Sequence, residues 1–232
     1  MAPLRPLICR RMRAFLHFEN PHGLCWEETN PESYPGSLRR WQADHPLRLE
    51  NEGTHFIFAT EGPATLRFLE TDYFLHPGMY AAVPGACSLE NGSGIAITRN
   101  AHHAFFHLGG PVEEHGRLRY IDGCTDSLLI PPVRMGDPCL NLLHIPPHTR
   151  QSRHTHPSHR IGVILSGSGE CVTPMETIPL SPGMVFVIPE NAEHSFHTST
   201  EALRVIAYHP ESDFGPTDES HPMVNKTLLS AP

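Results

Sequence analysis

The chain has 232 residues, with 25 Asp and Glu against 17 Lys and Arg, so its formal net charge is −8 with His neutral. An acidic chain without a stripe of Lys or Arg is a poor match for nucleic acid, and we expect no such partner. There is no apolar run of about 18 residues, so we expect no transmembrane helix and no membrane partner. The 24 Pro and 18 Gly are typical of many short strands joined by turns.

Residues 1–48 are Pro-rich and irregular, and we predict an N-terminal arm that packs on a larger body. The basic start of the chain lacks the apolar stretch and the small-residue cleavage site of a signal peptide. The six Cys include no Cys-x-x-Cys pair, which favours reduced thiols, and we expect a cytoplasmic protein. The only helix that we expect is a turn or two near Glu27–Trp41.

From Thr54 onwards, β-branched and aromatic segments alternate with Gly, Pro and Asn, which is typical of antiparallel strands. The first set of these segments reads THFIFAT, ATLRFLE, DYFLHPGMYAAVP and GIAITR. The second set reads CLNLLHIPP, RIGVILSGSGECV, MVFVIP, HSFHTS and LRVIAYHP. Continuous helical periodicity is absent, so the sequence predicts an all-β fold.

The two sets of strands share a short sequence pattern, which is HPGMYAAVP at residues 76–84 and SPGMVFVIP at residues 181–189. In each, Pro-Gly-Met forms a turn into a strand that a Pro closes. We interpret the pair as an internal duplication of a small β-barrel, although coincidence between two Pro-Gly turns is the alternative. The predicted barrels cover 49–120 and 121–215, and a loop or extended tail covers 216–232.

Three His residues of the second set form a candidate metal site. His154 and His156 are two residues apart, so on a strand they share a face. His194 follows Pro189 by five residues, and a barrel can bring it beside the pair. Three neutral imidazoles suit Fe, Ni, Cu, Mn or Zn, and they leave coordination positions open. We therefore predict one divalent transition metal ion per chain; ordinary hydrogen-bonded His residues are the alternative.

Residues 145–209 resemble the two sequence motifs of the cupins. The first motif consists of Gly, His-x-His, Glu and a closing Gly, and these positions here hold His148, His154 and His156, Arg160, and Gly167. The second motif consists of Gly, Pro-x-Gly, His and Asn, and these positions here hold Gly183, Pro189 and Asn191, His194, and Thr198. The first copy resembles the family only through HPGMYAAVP, and it has Leu89 where the second motif has its His.

The resemblance implies two fused double-stranded β-helix barrels, that is, a bicupin whose N-terminal barrel is degenerate and lacks a metal. Cupins with three His ligands include dioxygenases that use Fe(II) to activate O₂. The resemblance therefore favours an Fe(II) dioxygenase acting on a small organic acid or another chelating metabolite, and a homodimer. A metal-dependent isomerase or lyase that does not use O₂, and a non-catalytic cupin that binds a small ligand, are the alternatives.

The chain departs from the family at Arg160, which stands where most metal cupins have Glu. If Arg160 points inward, its guanidinium can bind a substrate carboxylate near the metal, and we predict this catalytic and substrate-binding role. A fixed cation beside a metal ion needs that anion or a nearby acid. If Arg160 points outward, it is a solvated strand residue. Phe196 and Gln151 are further candidates for substrate contact, and His159 is a possible extra metal ligand.

Overall fold

A computed structural model of the chain describes residues 13–19 and 21–212. The predicted tail at 216–232 lies outside these residues, as does the start of the predicted arm. Within the described part of the chain, no helix is long and apolar enough to cross a bilayer.

The described residues form short strands, which confirms the all-β prediction. The first eleven strands are β1 (Leu16–Phe18), β2 (Gly23–Glu28), β3 (Gly36–Trp41), β4 (Leu47–Leu49), β5 (Gly53–Glu61), β6 (Ala64–Phe68), β7 (Thr71–Leu75), β8 (Tyr80–Pro84), β9 (Cys87–Glu90), β10 (Ser93–Asn100) and β11 (His107–Gly109). The others are β12 (Leu118–Arg119), β13 (Thr125–Ile130), β14 (Cys139–Ile145), β15 (Arg160–Gly167), β16 (Gly169–Val172), β17 (Thr177–Leu180), β18 (Val185–Ile188), β19 (Ser195–His197) and β20 (Leu203–His209).

Of the turn or two of helix expected near Glu27–Trp41, the structure has a single 3₁₀ turn at Pro31–Ser33, and the rest of this segment forms β2 and β3. Strand β3 pairs with β2 on one side and with β10 on the other. These two ladders satisfy its backbone, so tertiary pairing overrides the weak local preference for a helix.

The N-terminal unit is a six-stranded sheet in the order β11-β8-β5-β10-β3-β2 and a four-stranded sheet in the order β4-β9-β6-β7. Both sheets contribute to one apolar core, with Ile57 and Ala81 from the first sheet and Leu66 and Leu89 from the second. The inner faces of the two sheets therefore pack together as a small two-sheet barrel.

The C-terminal unit repeats this plan with a seven-stranded sheet, β1-β18-β15-β20-β14-β13-β12, and a three-stranded sheet, β17-β16-β19. Its own core joins Phe186 and Val205 of the large sheet to Cys171 and Ile178 of the small one. This double-stranded β-helix has the jelly-roll fold that the sequence predicts.

The two Pro-Gly-Met turns have the same backbone geometry, which supports their interpretation as an internal duplication. Gly78 and Gly183 both have φ 84°. The amide of Gly78 donates to the carbonyl of Ala59 at 2.8 Å, and the amide of Gly183 donates to that of Ile164 at 2.8 Å. Glycine adopts this left-handed conformation without a steric penalty, which explains its presence at both turns.

The two units pack against each other through their large sheets. A shared cluster of buried side chains includes Phe56 and Phe58 from the N-terminal unit and Val163 and Tyr208 from the C-terminal unit. The rings of Phe56 and Tyr208 are 5.1 Å apart. The outer face of each large sheet is therefore buried by the other unit, and each barrel interior remains separate.

The described residues of the predicted arm complete both units. Strand β1 pairs with β18 at the edge of the C-terminal sheet, whereas β2 and β3 belong to the N-terminal sheet. Phe15, just before β1, is fully buried and stacks on Phe186 with the ring centroids 5.0 Å apart. This segment thus contributes to the same core as the predicted metal site.

Replacing Phe15 by Ala should lower the free energy of unfolding by about 3–5 kcal/mol, because it leaves a cavity in this core. Urea denaturation followed by circular dichroism measures the change. The control is Phe74→Ala, since Phe74 is 66% exposed, and it should shift stability by no more than about 0.5 kcal/mol. Equal effects of the two substitutions would show that β1 is not packed as described.

Candidate metal centre

The backbone brings the two parts of the His motif together. His154 and His194 form an isolated antiparallel bridge, in which each amide donates to the other's carbonyl at 3.0 Å. The pairing continues on one side, where the amide of Gln151 donates to the carbonyl of Phe196 at 3.2 Å. On the other side, the amide of Asn191 donates to the carbonyl of His156 at 2.8 Å. The segment before β15 is thus fixed to the segment that enters β19.

The structure brings the three predicted ligands into one cluster. One ring nitrogen from each of His154, His156 and His194 lies within 4.8 Å of those of the other two. The ring of His154 lies 4.5 Å from that of His194 and 5.0 Å from that of His156, measured between centroids. Nitrogens that share one metal ion at ordinary metal–nitrogen distances of about 2.0–2.1 Å are at most about 4.2 Å apart, so only small movements of these rings are needed to bind an ion.

Backbone carbonyls determine the tautomers of two of these rings. Nδ1 of His154 lies 2.8 Å from the carbonyl of Ser152, and Nδ1 of His194 lies 2.9 Å from that of Ala192. A carbonyl oxygen only accepts, so each Nδ1 carries the proton and donates it. Each Nε2 is then left with its lone pair, as a metal ligand requires, and the carbonyl holds the ring in place.

Burial keeps His156 and His194 neutral. It lowers the pKa of His156 to about 3, helped by the charge of Arg160 and by the other two His residues. It lowers the pKa of His194 to about 4, with smaller contributions from His154 and Arg160. Neutral imidazoles bind metal ions without first losing a proton, so the residues present fit a divalent ion.

The three His residues line a small cavity of about 50 Å³ inside the C-terminal barrel. Its apolar wall includes Phe186, Ile188, Val205 and Phe196, and Phe196 is only 4% exposed. Its polar lining outside the triad is Tyr120, Asp126, Gln151, Arg160 and His209. The predicted substrate residues Arg160, Phe196 and Gln151 are therefore all at this cavity.

Arg160 is buried, with 8% of its surface exposed, and an acid offsets its charge. One guanidinium nitrogen, Nη2, lies 3.5 Å from Oε1 of Glu211. The other, Nη1, donates to the carbonyls of Ser158 and His159 at 3.1 Å each. The remaining nitrogen, Nε, is buried without a hydrogen-bond partner among the described residues. Arg160 thus has one N–H group still available to a ligand.

Gln151 is buried and makes its hydrogen bonds to the protein. Its Oε1 accepts from the amide of Phe196 at 3.2 Å, and its Nε2 donates to Sγ of Cys124 at 3.8 Å. These contacts hold the His-bearing segment against β19. The position of Gln151 is therefore suited to maintaining the shape of the cavity wall.

His159 is buried on the other side of the chain from the triad. Its ring packs against Trp26, with the ring centroids 4.9 Å apart, and it does not line the cavity. Burial and the charge of Arg160 lower its pKa to about 4. Because successive residues of an extended chain point in opposite directions, Arg160 faces the cavity and His159 faces the neighbouring unit.

The motif positions that the cupins fill with Gly have a common geometry here. Gly167 and Gly183 both have φ 84°, and His148 and Asn191 have φ 59° and 56°. All four are therefore left-handed, although two are not Gly. Asn tolerates this conformation better than most residues, and the departure from the motif preserves the turn.

The N-terminal unit has apolar residues where the C-terminal unit has the bridge between His154 and His194. In the equivalent ladder, between β4 and β9, Leu49 pairs with Cys87. The spacing of the motif aligns Leu89 with the motif His. In the sheet, however, Leu89 pairs with Leu66 in the same way as Phe196 pairs with Cys171, so Leu89 is the counterpart of Phe196. The strand register therefore makes Cys87 the counterpart of His194, because β9 and β19 follow turns of different length.

Four residues at or beside the cavity were missed by sequence reasoning. Tyr120 and Asp126 reach it from the start of the C-terminal unit, His209 from the end of β20, and Glu211 through Arg160. The ring of His209 lies 6.3 Å from that of His156, and burial lowers its pKa well below the usual value. Side chains alternate between the two faces of β20, so Val205, Ala207 and His209 share one face. This was the one sequence feature that could have placed His209 at the cavity.

The model of the Cupin domain family matches residues 141–209, which carry the triad. A comparison with curated proteins finds no match. The solved structures with a similar fold include the Cupin 2 conserved barrel domain protein from Leptotrichia buccalis, with 14% identity, a TM-score of 0.58, and coverage of 85% of this chain and 88% of that one.

A second similar structure is salicylate 1,2-dioxygenase from Pseudaminobacter salicylatoxidans, with 11% identity, a TM-score of 0.56, and coverage of 77% of this chain and 71% of that one. A variant of that enzyme in complex with gentisate gives 12% identity and the same TM-score of 0.56, over 77% of this chain and 69% of that one. Identities this low show the fold alone. Together with the family match, they support the cupin superfamily.

Acid should destabilise the metal-free protein, and His159 should account for a measurable part of this loss. In the unfolded chain His159 takes up a proton near pH 6.5, whereas in the folded chain it does so only near pH 4. The unfolded state therefore binds more protons between these values, and the free energy of unfolding falls as the pH drops from about 6.5 to about 4.

For His159→Gln this fall should be smaller by about 3 kcal/mol than for the parent protein. Urea titrations in the presence of a chelator, at several pH values across this range, provide the measurement. His76→Gln, which changes an exposed residue, should leave the pH dependence as in the parent. Parallel curves for His159→Gln and the parent would contradict the burial of a neutral imidazole at this position.

Proposed function

We propose that the protein is a mononuclear metal-dependent cupin enzyme, and specifically an Fe(II) dioxygenase that acts on a small organic acid or a similar chelating metabolite. The observation that carries this proposal is the cluster of three imidazoles inside the barrel. Two of them are held by carbonyls in the tautomer that a metal ligand needs. Such a cluster, with its ring nitrogens close together at a cavity, has no evident structural role.

His154, His156 and His194 would hold the ion, with Fe(II) favoured and Ni, Zn, Mn or Cu possible in its place. The triad contains no carboxylate, so a divalent ion held there would keep its full charge. Such a site favours an anionic co-ligand, for example a carboxylate or an enolate. When bound, Fe(II) supplies the redox chemistry that pairs O₂ with an organic substrate.

The protein's own contribution is to position the substrate and exclude water. The free N–H of Arg160 Nε is a donor to a substrate carboxylate, while Glu211 compensates the charge of the guanidinium between turnovers. A fixed donor of this kind orients the acid before reaction, so less entropy is lost at the reacting centre. Phe186, Ile188 and Phe196 surround the site with apolar surface, which excludes bulk water.

The structural neighbours show that the same fold occurs in an oxygenase. One is a salicylate 1,2-dioxygenase, and it has been captured with gentisate, an aromatic acid. The substitution of Glu by Arg160 favours the second candidate function, a cupin that binds a small acid without turnover, because altered ligand sets also occur in proteins that have lost catalysis. A redox-neutral isomerase or lyase would use the same ligands without O₂.

We also propose a cytoplasmic homodimer. Strand β2 is an edge of the six-stranded sheet as far as the structure describes it, and Leu24 on this strand is 53% exposed. Sheet edges present backbone groups to a second copy of the chain. The wide spacing of the Cys residues supports a reducing compartment.

Protein purified without affinity nickel should contain about one transition metal ion per chain, because the triad forms one site. Inductively coupled plasma mass spectrometry on His156→Ala should show that this metal is lost, as removing a ligand leaves only two imidazoles. His115→Ala is the matched control, since His115 pairs with His144 away from the cavity. Full metal content in His156→Ala would contradict the site.

The iron-loaded protein should consume O₂ when an acid substrate from a broad panel is supplied. An oxygen electrode measures the uptake, which should vanish in His156→Ala. In Arg160→Gln, the acid concentration for half-maximal uptake should rise at least about tenfold, since a charge-assisted hydrogen bond contributes about 1.5–3 kcal/mol.

Two outcomes would move the assignment to an alternative. Turnover of an acid without O₂ consumption would indicate an isomerase or lyase. Stoichiometric acid binding without turnover of any panel member would indicate a binding protein. Iron-dependent uptake that survives His156→Ala would contradict the site itself.

A further inference from the structure

Asp126 on β13 lines the cavity, and the proposed reaction gives it no role. Its Oδ2 accepts a hydrogen bond from Nδ2 of Asn141 at 3.0 Å. Its Oδ1 is buried and has no hydrogen-bond partner among the described residues. Asn141 is fully buried on the next strand, so Asp126 is held in one position.

An unpartnered buried carboxyl oxygen costs stability, and the cost is larger for a charged group. Eight buried side-chain atoms of the described residues lack a hydrogen-bond partner, and only Oδ1 of Asp126 and Nε of Arg160 belong to residues that line the cavity. Burial raises the pKa of Asp126 to about 6, and the bond from Asn141 opposes this shift. The group is thus ionised at neutral pH and remains a hydrogen-bond acceptor.

Arg160 provides the complementary group. Its Nε is the other buried, unpartnered side-chain atom on the cavity lining, and it is a donor whereas Oδ1 of Asp126 is an acceptor. A ligand with an acceptor at one end and a donor at the other would satisfy both. The lining also includes Val205, Ala207 and Leu143, which are apolar, and Tyr120, which is polar.

The sheet order indicates the separation of these two groups. Arg160 is on β15 and Asp126 is on β13, and β20 and β14 lie between them. Three strand spacings of about 4.8 Å separate the backbones by roughly 14 Å across the sheet, and the register offsets them along it, since Asp126 is level with Val205 of β20 and Arg160 with His209. Both residues line the cavity. A ligand that contacts both groups is therefore an extended molecule, with its two polar ends separated by several bonds.

We propose that Asp126 is a substrate-binding residue that accepts a hydrogen bond from a hydroxyl or amino group at the end of the substrate farther from Arg160. This inference rests on the proposed function and narrows its substrate class. The substrate is a small acid whose chain or ring is apolar and carries a hydrogen-bond donor opposite the carboxylate. Asp126 selects this donor, and Arg160 binds the acid.

The test uses two series of probes with the metal-loaded protein under anaerobic conditions. One series is glycolate, 3-hydroxypropionate, 4-hydroxybutyrate and 5-hydroxyvalerate. The other is acetate, propionate, butyrate and valerate, which have the same lengths without the hydroxyl. Isothermal titration calorimetry gives a dissociation constant for each, and the ratio within each pair measures the contribution of the hydroxyl.

In the parent protein, at least one of the longer hydroxy acids should bind about tenfold or more tightly than its unsubstituted partner. In Asp126→Ala this preference should fall to less than about threefold, while binding of the plain acids is retained. Asp126→Asn keeps the shape of the side chain and should lose most of the preference even if the Ala variant is unstable. Asp44→Asn, at an 80% exposed side chain, should change neither quantity.

The outcomes separate the inference from the function on which it rests. If plain acids bind and depend on Arg160, but no hydroxy acid is preferred or Asp126→Asn keeps the preference, the role of Asp126 is wrong and the acid site remains. If no acid of either series binds to the metal-loaded protein, the proposed acid-binding function fails, and this inference fails with it.

Discussion

The bridge between His154 and His194 is the interaction on which the site depends. Its two backbone hydrogen bonds join the segment before β15 to the segment that enters β19. Side chains of a strand alternate between faces, so a slip of one residue in this pairing would turn an imidazole away from the other two. The register is secured on one side by Gln151 and on the other by Asn191, whose left-handed backbone makes the turn.

The charges around this bridge leave its neighbouring imidazoles able to bind a metal ion. Burial keeps His156 and His194 neutral, and the nearby cation of Arg160 reinforces this by disfavouring a second positive charge. Glu211 offsets Arg160 outside the cavity lining, so the buried guanidinium is tolerated without a ligand. Asp126 is separated from Arg160 by two strands, and the donor and acceptor ends of the cavity therefore do not neutralise each other.

Sequence patterns predicted the strands, the duplicated turns and the His cluster, because period-two alternation and Pro-Gly turns are local properties. Only one 3₁₀ turn of the helix expected near Glu27–Trp41 is present, because β3 pairs with β10 and this pairing is not local. Matching Leu89 to the motif His failed because a fixed spacing ignores the different turn before β9. Asp126 and Glu211 are isolated acids whose neighbours come from distant strands, so no spacing could identify them.

Comparison of the two units separates structural polar residues from functional ones. His55 occupies in the N-terminal unit the position that Arg160 occupies in the C-terminal unit. Each of them pairs with the residue before the Pro that closes the next strand. Both are buried and basic, but Nδ1 of His55 contacts Oγ1 of Thr98 at 2.9 Å and Nε2 contacts the carbonyl of Glu50 at 3.0 Å. His55 is therefore satisfied within its own barrel, whereas Arg160 keeps one N–H unpartnered. Nε of Arg204 in the same unit is also unpartnered, but Arg160 differs from Arg204 in lining the cavity, so a ligand there can satisfy its free N–H.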